Sequence, residues 1–226
     1  METIEKQVHQ WSCPFCQTDV SKETEMIVDA QQMPEAREAI LSGEYFRWAC
    51  PNCGKRVRIS REILYCDRKN HFVVLLLPGR SPESIEQEDW SVKNYMELSG
   101  FTKRIVSDIN FLKEKILILE SGLNDAAIEL SKLVLAHLVR KKYNRPIRAA
   151  YFARYDEEKQ MMGISFQFVG EGRTVLYQTK LEMYEVAAEL CKMYFASVGS
   201  LDRFYFIGSD WAKRVIEWDQ KEEEEH

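Results

Sequence analysis

The chain has 226 residues, a formal net charge of -5, 45% hydrophobic residues and 12% aromatics. That composition supports a packed core and excludes an intrinsically disordered chain, and the length suits one large domain or two small ones. The longest unbroken apolar run, 72–77, is six residues, far short of the roughly 20 needed to span a bilayer.

The first residues, Met1-Glu2-Thr3-Ile4-Glu5-Lys6, are charged and show no leader pattern. A soluble, cytoplasmic protein with no membrane role is therefore expected. The six cysteines include two C-x-x-C pairs, a usage that fits metal binding in a reducing compartment better than disulfides. The mild acidity argues against generic nucleic-acid binding, but the charge is unevenly spread. Residues 47–69 carry seven basic side chains against two acidic ones. An anionic partner would meet the protein there, on Arg47, Lys55, Arg56, Arg58 and Arg61. The closing run Glu222-Glu223-Glu224-Glu225 reads as a solvated end.

In chain order, 7–12 and 24–30 look extended. A short helix follows, with Pro34 at its first position, Glu35 and Glu38 near its positive end and Gly43 at its exit. The segment 44–49 alternates weakly, and 56–59 alternates cleanly as a half-wet strand does. Residues 63–65 and 72–77 form a strand pair around the turn Asp67-Arg68-Lys69-Asn70. Ser81-Pro82-Glu83 reads as a helix start. From Phe101 the spacing of Ile105, Ile109, Leu112, Ile116 and Leu119 predicts a helix. Gly122 breaks it, and Asn124 caps a second helix running to about residue 142. The two helices form a hairpin whose apolar stripes serve the core or a homodimer interface, since the spacing suits helix pairing too.

Asn144-Arg145-Pro146 marks the next boundary. Alternating strands at 147–155, 161–169 and 173–178 form a meander. Thr179-Lys180-Leu181-Glu182 is a capping box opening a helix with a stripe of Leu181, Tyr184, Ala188, Cys191 and Phe195. Gly199 ends that helix, 204–207 reads as a strand, and Ser209 caps a last helix. The expected organisation is a metal-binding β module over 1–80, a helical region over 81–144 packed on it, and a C-terminal module over 145–226.

The chemistry concentrates in Cys13-Pro14-Phe15-Cys16 and Cys50-Pro51-Asn52-Cys53-Gly54. A C-x-x-C turn aims two sulfurs at one point, so two turns supply the four soft ligands a tetrahedral structural zinc asks for. Proline stiffens each turn, and Gly54 permits the left-handed residue a knuckle needs. Gln17 holds that place in the first knuckle, so the two are expected to differ. Iron and a dithiol redox pair are the alternatives. Redox chemistry is disfavoured because four ligating thiolates leave no free nucleophile. The 33 residues between the pairs imply that the Pro34 helix is inserted between two halves of a ribbon. Cys66 and His71, spaced C-x4-H, read as packing or surface residues rather than further ligands, and Cys191 as a core thiol.

These residues resemble the CpXC domain proteins of bacteria and archaea. The likeness rests on the two Cys-Pro-x-Cys motifs, on Leu41-Ser42-Gly43-Glu44-Tyr45-Phe46, on Leu64-Tyr65-Cys66-Asp67, and on the helical segment containing Glu120-Ser121-Gly122-Leu123-Asn124-Asp125. The resemblance covers about residues 5–142. It implies a zinc-ribbon-like site at Cys13, Cys16, Cys50 and Cys53, and it implies no activity.

No nucleophile elbow, P-loop, H-E-x-x-H or dinucleotide fingerprint occurs in the sequence. Tyr65 and Asp67 are better explained by hydrogen bonding than by acid–base work. Tyr151, Phe152, Tyr155, Phe166 and Phe168 are better explained by packing than by base stacking. The fold expected is α+β: a zinc-ribbon-like module with an inserted helix, a helical hairpin, and a small C-terminal antiparallel sheet with helices. The function expected is a zinc-binding interaction or scaffold protein, partnered by another protein or by itself. A nucleic-acid binder using the 47–69 surface is the alternative, and an enzyme with a site in the C-terminal module is a weaker third.

Overall fold

The computed structural model describes residues 6–81, 84, 98–198 and 203–224. The chain divides into two compact units, Met1–Lys113 and Glu114–His226, and the fold is α+β.

In the first unit, β1 (Lys6–Ser12) and β2 (Asp19–Glu25) pair antiparallel from Lys6 opposite Glu25 to Ser12 opposite Asp19. After β3 (Ile27–Asp29) comes α1 (Pro34–Ser42), which opens on proline and closes on Gly43 at φ 86°. Both ends follow from local chemistry, since proline needs no N–H at the first helical position and glycine takes the left-handed exit freely. A single 3-10 turn leads into β4 (Arg47–Ala49), which pairs with β5 (Arg56–Arg58).

β6 (Ile63–Asp67) and β7 (Phe72–Leu76) are buried along their whole length. They lie at the centre of a four-stranded mixed sheet of order β3-β6-β7-β8. Asp67 locks the turn between them. Its Oδ1 accepts from Asn70 N–H at 3.0 Å and from Gln31 Nε2 at 2.8 Å, and its Oδ2 accepts from Asn70 Nδ2 at 2.7 Å. Tyr65 is fully buried with its ring 6.0 Å from that of Phe72. Packing and turn geometry thus account for both members of the Tyr65/Asp67 pair.

The fourth strand, β8 (Thr102–Val106), corrects the helix expected from Phe101. It runs parallel to β7, with Thr102 opposite Phe72 and Val106 opposite Leu76. Ile105 and Ile109 sit four apart in both readings, so their spacing cannot separate helix from strand. An open sheet edge beside β7 decides in favour of the strand. The helix begins after Asp108, whose Oδ1 accepts from Asn110 N–H at 2.7 Å. Ser81 Oγ accepts from Ser84 N–H at 3.2 Å, as a capping serine does, but the helix expected to follow lies outside the described residues, as does Gly199.

The unit boundary falls within α2 (Ile109–Glu120), which Ser121-Gly122-Leu123 connects to α3 (Asp125–Tyr143). Asn124 caps α3, its side chain accepting from Ala126 and Ala127 N–H. Strands β9 (Ile147–Asp156), β10 (Met161–Phe168) and β11 (Thr174–Lys180) make an antiparallel meander with β10 central. α4 (Glu182–Val198) and α5 (Ser209–Glu224) follow.

Phe152, Met162, Ile164, Phe166 and Phe168 pack on Ile128, Leu135 and Val139 of α3. Another set of α3 residues, Ala126, Ala127 and Leu130, packs with Cys191 of α4 and Trp211 and Val215 of α5. Cys191 is the core thiol its place on the stripe suggested. The strand expected at 204–207 is reduced to a single bridging residue, Tyr205, whose ring packs edge-on against Phe195.

Candidate metal centre

Each cysteine pair sits in the turn of a two-stranded ribbon, β1–β2 for Cys13/Cys16 and β4–β5 for Cys50/Cys53. In the first turn Cys13 N–H donates to Thr18 O at 3.0 Å and Gln17 N–H to Cys13 O at 2.8 Å. In the second, Cys50 N–H donates to Lys55 O at 2.9 Å and Gly54 N–H to Cys50 O at 2.8 Å. The same two bonds recur, and so does the left-handed residue, at φ 59° for Gln17 and 68° for Gly54. The expected difference between the knuckles is therefore not found. Gln17 takes the strained conformation because the turn closes only that way, at a cost glycine escapes.

The two ribbons bring all four sulfurs within 4.8 Å of one another. Cys13 Sγ lies 3.8 Å from Cys53 Sγ, and Cys16 Sγ lies 3.7 Å from Cys50 Sγ. A disulfide would bring sulfurs to about 2.05 Å, and all four cysteines are free thiols. A tetrahedron of sulfurs about 2.3 Å from a central ion has edges of about 3.8 Å, so the cluster has the dimensions of a four-thiolate metal site. Among the described residues no other group of His, Cys, Asp or Glu side chains has such geometry.

The surroundings tune the thiols unequally. The Thr18 hydroxyl, 3.4 Å from Cys16 Sγ, is the chief influence lowering that thiol to about 5. At Cys53 the Lys55 N–H pulls the thiol down, but burial and the three neighbouring sulfurs outweigh it and raise it to about 11. Four thiols this close cannot all ionise without a cation among them. Asn52 Nδ2 donates to Thr18 Oγ1 at 2.9 Å, tying one knuckle to the other. Trp48, Val57 and Val20 pack beneath, and the Trp11 and Trp48 ring centroids are 4.4 Å apart.

His9 lies on β1 outside the cluster, its pKa lowered by burial and by the nearby Arg61. Cys66 is buried in β6, where burial raises its thiol to about 11. The basic residues divide. Arg47, Arg56 and Arg58 are exposed on β4 and β5. Lys55 Nζ stands 4.6 Å over the exposed ring of Phe15. Arg61 turns inward, donating to Glu25 O at 2.8 Å and stacking on Tyr45.

Two features escaped the sequence reading. One is the inter-knuckle bond through Asn52, for which no sequence signal exists. The other is a cluster of five buried charges in the second unit: Glu114, Lys115, Asp125, Glu129 and Lys132. Three of these follow a visible pattern, because Asp125, Glu129 and Lys132 recur at helical spacing among the apolar residues of the first half of α3.

The ribbons and their sulfurs define a protein with a reduced tetra-cysteine metal-binding centre. The chain belongs to the CpXC protein family, whose model matches residues 11–132 and so includes all four cysteines. No curated protein and no solved structure matches the chain. Among the described residues no helix is long and apolar enough to cross a membrane.

Proposed function

We propose that the tetra-cysteine centre is a structural zinc site and that the protein works by binding a partner rather than by catalysis. The observation that carries this reading is the pair of sulfur separations, 3.7 and 3.8 Å, together with two knuckles of one geometry. Zinc has no geometric preference of its own and takes the tetrahedron that the sulfurs offer. Four thiolates fill that shell, so neither water nor substrate has a corner to occupy, and Lewis-acid catalysis is closed off at this site. The ion joins two ribbons, one of them with strands of only three residues, which carry little independent stability. Its role is thus to hold a surface in shape.

The test is metal analysis of protein purified from its host, followed by chelation. One zinc per chain is expected. A strong chelator should change the emission of Trp11 and Trp48, which pack against the site, while helical circular dichroism persists. Iron in place of zinc, two disulfides among the four cysteines, or a water ligand on the bound ion would overturn the reading.

A further inference from the structure

On the β4–β5 ribbon, Trp48 and Val57 are buried, so Arg47, Ala49, Arg56 and Arg58 share the opposite, exposed face. Arg47 stands directly across from Arg58. Like charges in that position destabilise a strand pair, so ribbon stability does not account for them. One carboxylate, Glu44, serves this face: it lies 3.0 Å from Arg47 and also pairs with Arg56. Arg58 has no ion pair among the described residues.

A fourth cation comes from α2. Lys113 Nζ lies 2.8 Å from where a side chain on Gly43 would begin, which sets it beside the exit of α1 and next to the ribbon. Burial lowers its pKa, and the charges of Arg58 and Arg47 lower it further. Arg47, Arg56, Arg58 and Lys113 against Glu44 leave this face at a formal +3, within a chain of net charge -5. At the knuckle end the strip continues through Lys55 to Phe15, whose ring is 56% exposed.

We propose that this strip binds single-stranded nucleic acid, with Arg47, Arg56, Arg58 and Lys113 on successive backbone phosphates and a base stacked on Phe15. A row of cations that a single carboxylate only partly neutralises matches a polyphosphate backbone, and an exposed aromatic at the end of the row matches an unpaired base. Residues two apart on a strand are about 7 Å apart, which lets Arg56 and Arg58 address different phosphates. A duplex keeps its bases stacked and offers Phe15 nothing. The inference rests on the metal-held ribbon proposed above.

The experiment uses the full chain with its metal content measured, and a fluorescein-labelled 12-nucleotide oligo-dT or oligo-U read by anisotropy across a salt series. The expected slope of log affinity against log salt is about -2.8 for four phosphates, at about 0.7 each. Arg58→Gln and Lys113→Gln should each flatten that slope by about 0.7. Phe15→Ala should weaken binding about 5- to 150-fold at fixed salt and leave the slope alone. Lys192→Gln, on α4, should change nothing. Metal-loaded protein that fails to bind, or that binds without responding to these substitutions, overturns this inference and leaves the structural-zinc reading intact. Equal competition by poly-glutamate assigns the strip to an acidic protein partner, and equal binding of duplex removes the role of Phe15. Either result also overturns the inference. Protein that carries no metal when purified fails the earlier reading first.

Discussion

Replacing Lys132 by methionine tests whether the buried charges of the second unit act as one network. Lys132 Nζ lies 3.0 and 3.2 Å from the two oxygens of Glu114 and 2.8 Å from Glu129 Oε1. Glu114 Oε1 also accepts from Phe152 N–H at 2.5 Å, and Lys115 Nζ pairs with Asp125 at 2.8 Å and reaches Glu129 at 3.7 Å. Three carboxylates thus share two ammonium groups out of contact with water. Removing one partner from a buried ion pair costs about 3–5 kcal/mol, because the other charge stays behind unpaired. For a unit of this size about 4 °C of melting temperature accompanies each kcal/mol, so Lys132→Met should lower the transition by about 12–20 °C.

The pH dependence carries a sign that simple misfolding would not. Burial raises the Glu114 carboxyl above its usual range, and the Lys132 charge is the largest opposing influence. A carboxyl whose folded pKa is raised favours the folded state below its unfolded pKa and loses that contribution as pH rises through the folded value. Without Lys132 the folded value climbs further, so the deficit of the variant should be largest at neutral pH and shrink on acidification. Thermal melts followed at 222 nm, variant against parent at each pH, measure it. The double variant Glu114→Gln/Lys132→Met keeps an acceptor for Phe152 N–H and should recover most of the loss. A loss below about 1 kcal/mol, a deficit flat with pH, or no recovery in the double variant would refute the network.

Three further outcomes follow from local geometry. Asn124→Ala removes the acceptor for Ala126 and Ala127 N–H and should cost about 1 kcal/mol in urea unfolding, with Asn124→Ser close to the parent. Gly54→Ala meets no atom within 4 Å, so its cost is backbone conformation alone. At about 1 kcal/mol it should weaken zinc binding about 5-fold in competition with a chromophoric chelator. Gln17→Gly should shift the same assay in the opposite direction by a smaller factor, because glycine also loosens the unfolded chain.

The metal centre was legible in the chain because C-x-x-C geometry is local: two thiols three positions apart in a tight turn converge whatever surrounds them. Pro34, Gly43 and Asn124 likewise announced the ends of α1 and α3 through chemistry confined to one helical turn. The meander of β9, β10 and β11 showed in alternation alone, since a sheet with one covered face repeats every two residues. Other features depended on residues distant in sequence. Residues 102–106 became a strand because β7 offered an unpaired edge, which no window of local periodicity contains. Arg61 turned inward because a carbonyl on β2 and the ring of Tyr45 stood waiting, whereas Arg58, three positions earlier, faced solvent. Lys113 joined the basic strip only through the path of α2 past Gly43. Spacing along a chain fixes what neighbours in sequence can do together, but the energy of a charge or an exposed strand edge depends on what lies across space from it.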